Sequence, residues 1–354
     1  MTLSPPAVAE VCRELSALGE RTRIDGPWRS GAFAAMARHG LLAAFIPADC
    51  GGNEAAETEV LAMLVEVSRS CLTTALALTQ WASGCRLISA GSDEVRRQYL
   101  PPLGRGETLT TVGISQLTTS RRHLASPVLS ATLEDDGWRL SGLCPWVTGG
   151  DSSDTIVTGA AVAVGDGIVT RFFIVPREAE GVRVDPPMEL LGLSGSRTSA
   201  VRFDRASASE SIELDGGRGV RSGGLATTAL AIGSAKRSIE LLRELAREGD
   251  GRPEIERVAD GLSTECEAAF YRMTHLAARH PSAGDVADRD GVRTEATHLA
   301  IRSAQASLVA SKGAGYMVGH PAERAIRESM FFLVWSCPQA VASAVMCELA
   351  GLSP

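Results

Sequence analysis

The residue patterns of this chain that could do chemistry fail, one after another, the spacing tests of common active sites. Gly313-Ala-Gly315-Tyr-Met-Val-Gly319 has the glycines of a dinucleotide loop, yet it follows no strand pattern and lies in a helical stretch, so a Rossmann phosphate turn is not expected. There is no GxxxxGK followed by Ser or Thr, and no GxSxG, which removes P-loop and hydrolase-elbow chemistry. Asp285, Asp288 and Asp290-Gly291 lack the spacing and the closing Glu of a calcium loop and read as a solvated turn. His275 and His280 are separated so that they do not share a helical face, and they read as non-ligands. The eight cysteines (Cys12, Cys50, Cys71, Cys85, Cys144, Cys266, Cys337, Cys347) form no CxxC pair, so no metal site is expected and free thiols in a reducing cytoplasm are.

Whatever chemistry the chain performs must be positioned by three differently textured segments. Residues 1–108 read as helices: Leu15, Leu18, Phe33, Met36 and Leu41 recur at helical spacing, and Ser92-Asp93-Glu94 starts a short helix ending at Pro101-Pro102. In residues 109–214 short β-branched runs such as Thr155-Ile-Val-Thr158 and Arg171-Phe-Phe-Ile-Val175 alternate with turns at Asp135-Asp136-Gly137 and Gly165-Asp166-Gly167. Helical periodicity returns over 215–354, where Ile239, Leu242, Leu245 and Ala246 face away from Arg237, Glu240 and Glu244. Pro281 to Gly291 reads as a polar break between helices, and Met330 to Leu349, interrupted by Ser336 and Pro338, as a buried helical segment rather than a membrane span.

The 354 residues carry 35 Lys+Arg against 42 Asp+Glu, a net charge of −7, which argues against nucleic-acid or anionic-membrane partners. The N-terminus lacks a signal-peptide pattern, so a cytoplasmic location is expected. Only two of the basic residues are lysines, Lys236 and Lys312, a bias that fits a GC-rich bacterial genome.

A series of landmarks, in order and at matching intervals, resembles the acyl-CoA dehydrogenase family over essentially the whole chain. They are Gly40-Leu-Leu, Ile46-Pro47 and Gly51-Gly52; then Gly91-Ser-Asp-Glu, Gln98-Tyr-Leu-Pro101 and Gly106-Glu107. Next come Cys144-Pro-Trp146-Val-Thr148-Gly149-Gly150, Gly192-Leu-Ser-Gly-Ser-Arg-Thr198 and Val201-Arg-Phe203-Asp204. Gly313-Ala-Gly315-Tyr316, Pro321-Ala-Glu-Arg324 and Arg327-Glu328 complete the set. The resemblance implies an α+β fold: an N-terminal α-helical domain, a middle β-barrel or sandwich domain, and a C-terminal helical bundle. It implies FAD, with Trp146 packing against the isoalloxazine ring and Thr148 hydrogen-bonding near N5. Gly313 and Gly315 would let backbone approach the pyrophosphate, and Arg247 roughly matches an arginine that reaches a partner's FAD; a dimer or tetramer is the corresponding expectation.

Three departures from the family stand out. The usual glutamate base is followed by Gly-Thr; here that position is Ser336, followed by Cys337-Pro338. A serine needs another group to take its proton, and Cys337 would act only with its thiolate stabilised by positive charge, the alternative being a small buried residue. The second position some members use for the base falls near Gly223-Gly224. The Thr-Glu-Pro-Gly-Ala-Gly-Ser-Asp signature is replaced by Ser115-Gln-Leu-Thr-Thr-Ser-Arg-Arg-His123, in which Ser115 and Thr118 retain hydroxyls for flavin edges. Arg121, Arg122 and His123 there form either a solvated loop or a site for an anionic substrate group such as a phosphopantetheine phosphate. Third, the bundle hairpin between Gly251 and Val258 is shortened.

The resulting expectation is an FAD-dependent oxidoreductase acting on an acyl thioester carried by CoA or an acyl carrier protein, in bacterial secondary metabolism, with a non-standard active site. A flavin-dependent monooxygenase on the same scaffold, and a catalytically degenerate partner subunit, are the alternatives.

Overall fold

A computed structural model describes residues 3–25, 28, 31–118, 127–213, 224–248, 252–279, 285–335 and 339–352. Arg121, Arg122, His123, Ser336 and Cys337 therefore lie outside the described residues, as does the side chain of Thr118. In order, the chain presents N-terminal helices, a middle sheet and C-terminal helices. It folds into two compact units, divided differently from that linear order: one comprises 1–55, 76–190 and 194–221, the other 56–75, 191–193 and 222–354.

In the first unit, α1 (Pro5–Asp25), α2 (Ala32–Arg38), most of α4 (Leu72–Ser89) and α5 (Asp93–Gly104) accompany the sheet. Ser92 caps α5, its hydroxyl accepting the Val95 N–H at 3.3 Å, with Asp93 and Glu94 favourably placed in the first turn. The helix does not stop at Pro101-Pro102 but runs through both to Gly104. Its last carbonyls are then satisfied from outside, Arg105 N–H donating to Pro101 O and Gly106 N–H to Leu103 O. Four rings knit these helices together: Trp28 stacks on Phe33 (5.4 Å), and Phe33 and Phe45 meet Trp81 edge-on at 6.2 and 5.6 Å.

The sheet has eight strands: β1 (Thr110–Gly113), β2 (Leu129–Glu134), β3 (Gly137–Val147), β4 (Thr155–Val164), β5 (Gly167–Pro176), β6 (Val182–Val184), β7 (Ser199–Ser207) and β8 (Glu210–Ile212). Their order is β6-β7-β3-β2-β4-β5-β8, with β1 parallel to β4. Both turns expected from Asp-Gly pairs are present, between β2 and β3 and between β4 and β5; the second hairpin is in register from Thr155↔Pro176 to Val164↔Gly167. Leu140 and Val147 of β3, Val201 and Phe203 of β7, and Ile156 and Phe173 of β4 and β5 share one core, so a single sheet bends around its own apolar face.

The second unit gathers α3 (Glu57–Ser70), α7 (Leu225–Arg247), α8 (Pro253–Ala277), α9 (Asp285–Ser311), α10 (Pro321–Ser329), α11 (Phe331–Val334) and α12 (Gln339–Leu349). Helix α7 is its axis: Ile239, Leu242, Leu245 and Ala246 are buried as the periodicity demands. Helix α3 presses on it, Ser68 donating its hydroxyl proton to the Leu230 carbonyl at 2.7 Å. Arg69 bridges Glu66 and Glu240 along the same seam.

Two expectations are corrected here. Asp285 to Gly291 is the start of α9 rather than a turn; acidic side chains at a helix N-terminus complement its dipole, which explains an Asp-rich helical start. The C-terminal apolar stretch is two short helices. Phe332, Val341 and Val345 are buried, while Val334 and Met346 are exposed. Among the described residues no helix is long and apolar enough to cross a membrane.

Candidate active site

In the first unit the candidate residues sit on β3 and on α6 (Ser115–Thr118), the single helical turn after β1. Trp146 is 39% exposed at the end of β3, unusual for so large a ring. Its backbone is fixed from α6: the Trp146 N–H donates to Ser115 Oγ at 3.1 Å, which leaves Ser115 its own proton to donate. Gln116, buried beside it, donates its amide to the Gly159 carbonyl at 2.9 Å and to Thr158 Oγ1 at 3.3 Å. These bonds lock α6 onto β4, so Ser115 is held by more than its own loop.

Thr148 is placed differently from Trp146. It is buried, and its hydroxyl lies 3.1 Å from Thr198 Oγ1, which in turn lies 2.9 Å from Ser196 Oγ. The Thr148 carbonyl accepts from Thr111 Oγ1 at 2.6 Å. Gly149 follows with φ +66, its N–H donating to the carbonyls of Ser196 and Arg197. A Cβ on Gly149 would fall 2.0 Å from Trp28, so only glycine lets the indole lie against this turn. Arg197, itself left-handed at φ 51, pairs with Asp151 through Nε at 2.9 and 3.0 Å. The strand end carrying Trp146 and Thr148 is thus braced on several sides. Nothing in the sequence marked Trp28 as part of this brace, because the contact joins positions far apart in the chain.

Cys144, between these residues, is not a nucleophile in waiting. Burial pushes its thiol up to about 11, and the Cys266 thiol likewise. Both ionise near 9.0 when exposed, so the fold binds their protons more tightly than the unfolded chain does. The stability this contributes is complete below pH 9 and is lost as pH rises toward 11. Denaturant midpoints should accordingly fall between about pH 8 and about pH 10, and Cys144→Ala should flatten part of that fall.

In the second unit the first turn of α7, after Gly224, carries no acidic side chain. Arg247 is exposed at the end of α7. The neighbouring Arg252, which the sequence did not single out, joins helix ends instead. Its guanidinium donates to the Leu245 carbonyl of α7 at 2.8 Å and the Ala310 carbonyl of α9 at 3.2 Å. Beyond α9, Lys312–Tyr316 forms a 3-10 turn. Gly315 is buried there, and a Cβ on it would meet Ser311 at 2.6 Å, so packing within the turn accounts for that glycine. Gly313 is exposed, with nothing within 4 Å of a would-be Cβ, and its backbone is open to approach.

Residues 7–107 match the profile described as the acyl-CoA dehydrogenase N-terminal domain. The chain is 26% identical to an acyl-CoA dehydrogenase of Bacillus subtilis (strain 168) over 83% of its own length and 82% of the relative's. Residues 7–107 thus match the acyl-CoA dehydrogenase family, and the chain as a whole is similar to members of it. Solved structures with this acyl-CoA dehydrogenase fold include a nitrososynthase from Micromonospora carbonacea var. africana (TM-score 0.78, 21% identity, covering 100% of this chain and 98% of that one). Another is KijD3 in complex with FMN and a dTDP-linked amino-keto sugar (TM-score 0.77, 18% identity, 99% and 95% covered). The acyl-CoA dehydrogenase fold thus carries more than one chemistry, and the residues of each chain's site must decide between them.

Proposed function

We propose that this chain is an FAD-dependent oxidoreductase of the acyl-CoA dehydrogenase family acting on an acyl thioester, carried by CoA or an acyl carrier protein. The observation that carries this reading is Trp146, a large ring left exposed at a strand end whose backbone is fixed by Ser115. A flat apolar surface on a rigid support suits an isoalloxazine face. In the second unit, the open backbone at Gly313 is by itself of a kind that suits a phosphate. When bound, flavin supplies the two-electron acceptor.

The chain's own residues then have definable tasks. Ser115 orients Trp146, and its hydroxyl also lies 3.7 Å from Cys144 Sγ. If Thr198 donates to Thr148 Oγ1, the Thr148 proton remains available to an acceptor outside the hydroxyl trio. Removing a proton from the α-carbon of an ordinary acyl thioester calls for a carboxylate base. The first turn of α7 supplies none, and Ser336 stands where the family's glutamate would. A substrate with an already acidic proton, or with an α-hydroxy or α-amino group, fits such a site better than a plain fatty acyl chain.

The same missing carboxylate favours a second reading, a flavin-dependent monooxygenase, which has no α-proton to remove. Two assays separate the readings. Anaerobic bleaching of the oxidised flavin by acyl thioesters supports the dehydrogenase; product-coupled oxygen uptake by the reduced protein supports the oxygenase. Purified protein without flavin absorbance, and not reconstituted by FAD, would falsify both. Trp146→Ala should weaken flavin binding about 10–100-fold, and Trp146→Phe should retain most of it, as read by quenching of flavin fluorescence. Val334, Met346, Leu349 and Leu352 are exposed apolar side chains that suit a homo-oligomer; light scattering tests the state.

A further inference from the structure

Helix α12 is short, and its hold on α9 runs through a histidine. Its 11 residues fall below the roughly 12–15 at which a helix stands alone in water, so it stays helical by docking. Val341 and Val345 form its buried side, while Met346 and Leu349 are exposed. The polar part of the seam is His298 of α9, whose Nδ1 pairs with Glu348 Oε2 of α12. Glu348 sits in the last turn of α12, where a carboxylate opposes the helix dipole and no basic residue of that turn offsets it. A carboxylate placed against its own helix's field points to a task for its partner across the seam.

That partner is placed to carry one proton and not two. The His298 side chain is 11% exposed. With Nδ1–H donating to Glu348, Nε2 is left buried and without a hydrogen-bond partner. A second proton there would make a buried donor with no acceptor on a buried cation. Charged groups reach the ring's surroundings from three helices: Glu348 of α12, Arg302 one turn further along α9, and Glu265 of α8, which pairs with Arg302. Among the described residues no charged group of α7 or α10, which also pack on α9, pairs with the ring. Burial opposes the imidazolium most and Arg302 adds to it; together they outweigh Glu348 and hold the ring's pKa below its ordinary 6.5. The docked state therefore takes up the proton less readily than the released one. The seam's stability is fully present above pH 6.5 and is lost as pH falls below it.

We propose that the His298–Glu348 pair is an acid-sensitive clasp: protonation of His298 releases α12 from α9 while the rest of the second unit stays folded. Release uncovers Val341 and Val345 beside the already exposed Met346 and Leu349. The clasp lies within the second unit, needs no ligand, and stands whether or not the chain binds flavin. Hydrogen exchange of the full chain tests it, with rates corrected for the intrinsic effect of pH. Protection of the α12 amides should fall by up to about tenfold between about pH 7.5 and about pH 5.5, while the α7 amides hold. His298→Gln, which keeps an N–H for Glu348 but cannot titrate, should abolish that fall. Arg302→Gln removes an exposed charge that opposes protonation, and should make the fall smaller. Glu348→Gln should loosen α12 about fivefold at pH near 7.5.

Protection of α12 that holds or rises as the wild-type chain is acidified would overturn the proposal, because the doubly protonated ring would then be the tighter partner. A fall that persists unchanged in His298→Gln would overturn it too, by assigning the release to another group. So would α7 and α12 losing protection by the same factor, since the acid effect would then be unfolding of the whole unit. A deeper fall in Arg302→Gln would reverse the electrostatic sign on which the clasp depends. Should His298→Gln fail to fold, the Arg302→Gln profile carries the test by itself, because that side chain is half exposed and its loss leaves the α9–α12 seam intact.

Discussion

Gly149→Ala should cost the first unit about 3 kcal/mol and, with it, most of its flavin affinity. Two effects add. The residue is left-handed at φ +66, where a Cβ costs about 1 kcal/mol. The new methyl would also stand 2.0 Å from the Trp28 ring, and overpacking of this kind costs about 2 kcal/mol. The ring cannot simply swing aside, because Trp28 is buried and stacked on Phe33. The strand end must shift instead, taking Thr148 and Trp146 with it. Thermal melting and flavin titration of the variant measure the two consequences. Shaving the ring in the same background (Trp28→Leu) should restore part of both, since the steric clash is shared while the backbone strain is not. A double-mutant cycle with no coupling between the sites would mean that Trp28 does not brace the turn.

Gly233→Ala should destabilise the second unit by about 3 kcal/mol, against the sign that helix propensity alone gives. Alanine at an unobstructed helical glycine normally gains up to about 1 kcal/mol. At Gly233 of α7, however, the methyl would lie 2.4 Å from the Val65 carbonyl and 2.9 Å from the Arg69 nitrogen. These are backbone atoms of α3, so the helices must separate, and the Ser68–Leu230 hydrogen bond would be lost with them. Gly261 of α8 is the internal control: it is exposed, with nothing within 4 Å of a would-be Cβ. Gly261→Ala should stabilise the protein, and parallel melts of the two variants should move in opposite directions. A stabilised Gly233→Ala would show that α3 does not seat on α7 as described.

The larger outline was legible because it rests on local patterns. Short β-branched runs marked the strands, Asp-Gly pairs their hairpins, and the apolar stripe of α7 its buried face. The errors were also local and have physical causes. Pro101-Pro102 reads as a stop, yet a helix can carry prolines in its last turn when following N–H groups satisfy its end. Asp285 to Gly291 reads as a turn, yet the same acidic residues suit a helix start. Of the candidate site, Trp146 and Thr148 came from the order of family landmarks. That one is exposed and the other sealed in a trio of hydroxyls is set by tertiary neighbours such as Thr198 and Ser196.

The seating of α3 on α7 has a consequence for how the chain is made. Ser68 and Leu230 are 162 positions apart, so on the ribosome α3 emerges long before its partner exists. At ordinary elongation rates that gap is roughly 10–30 s. Throughout it Leu61, Leu64, Val65 and Val67 have no helix α7 to cover them. An N-terminal fragment that stops near residue 107 would carry the same uncovered face permanently and should aggregate unless a chaperone or the rest of the chain is supplied in trans.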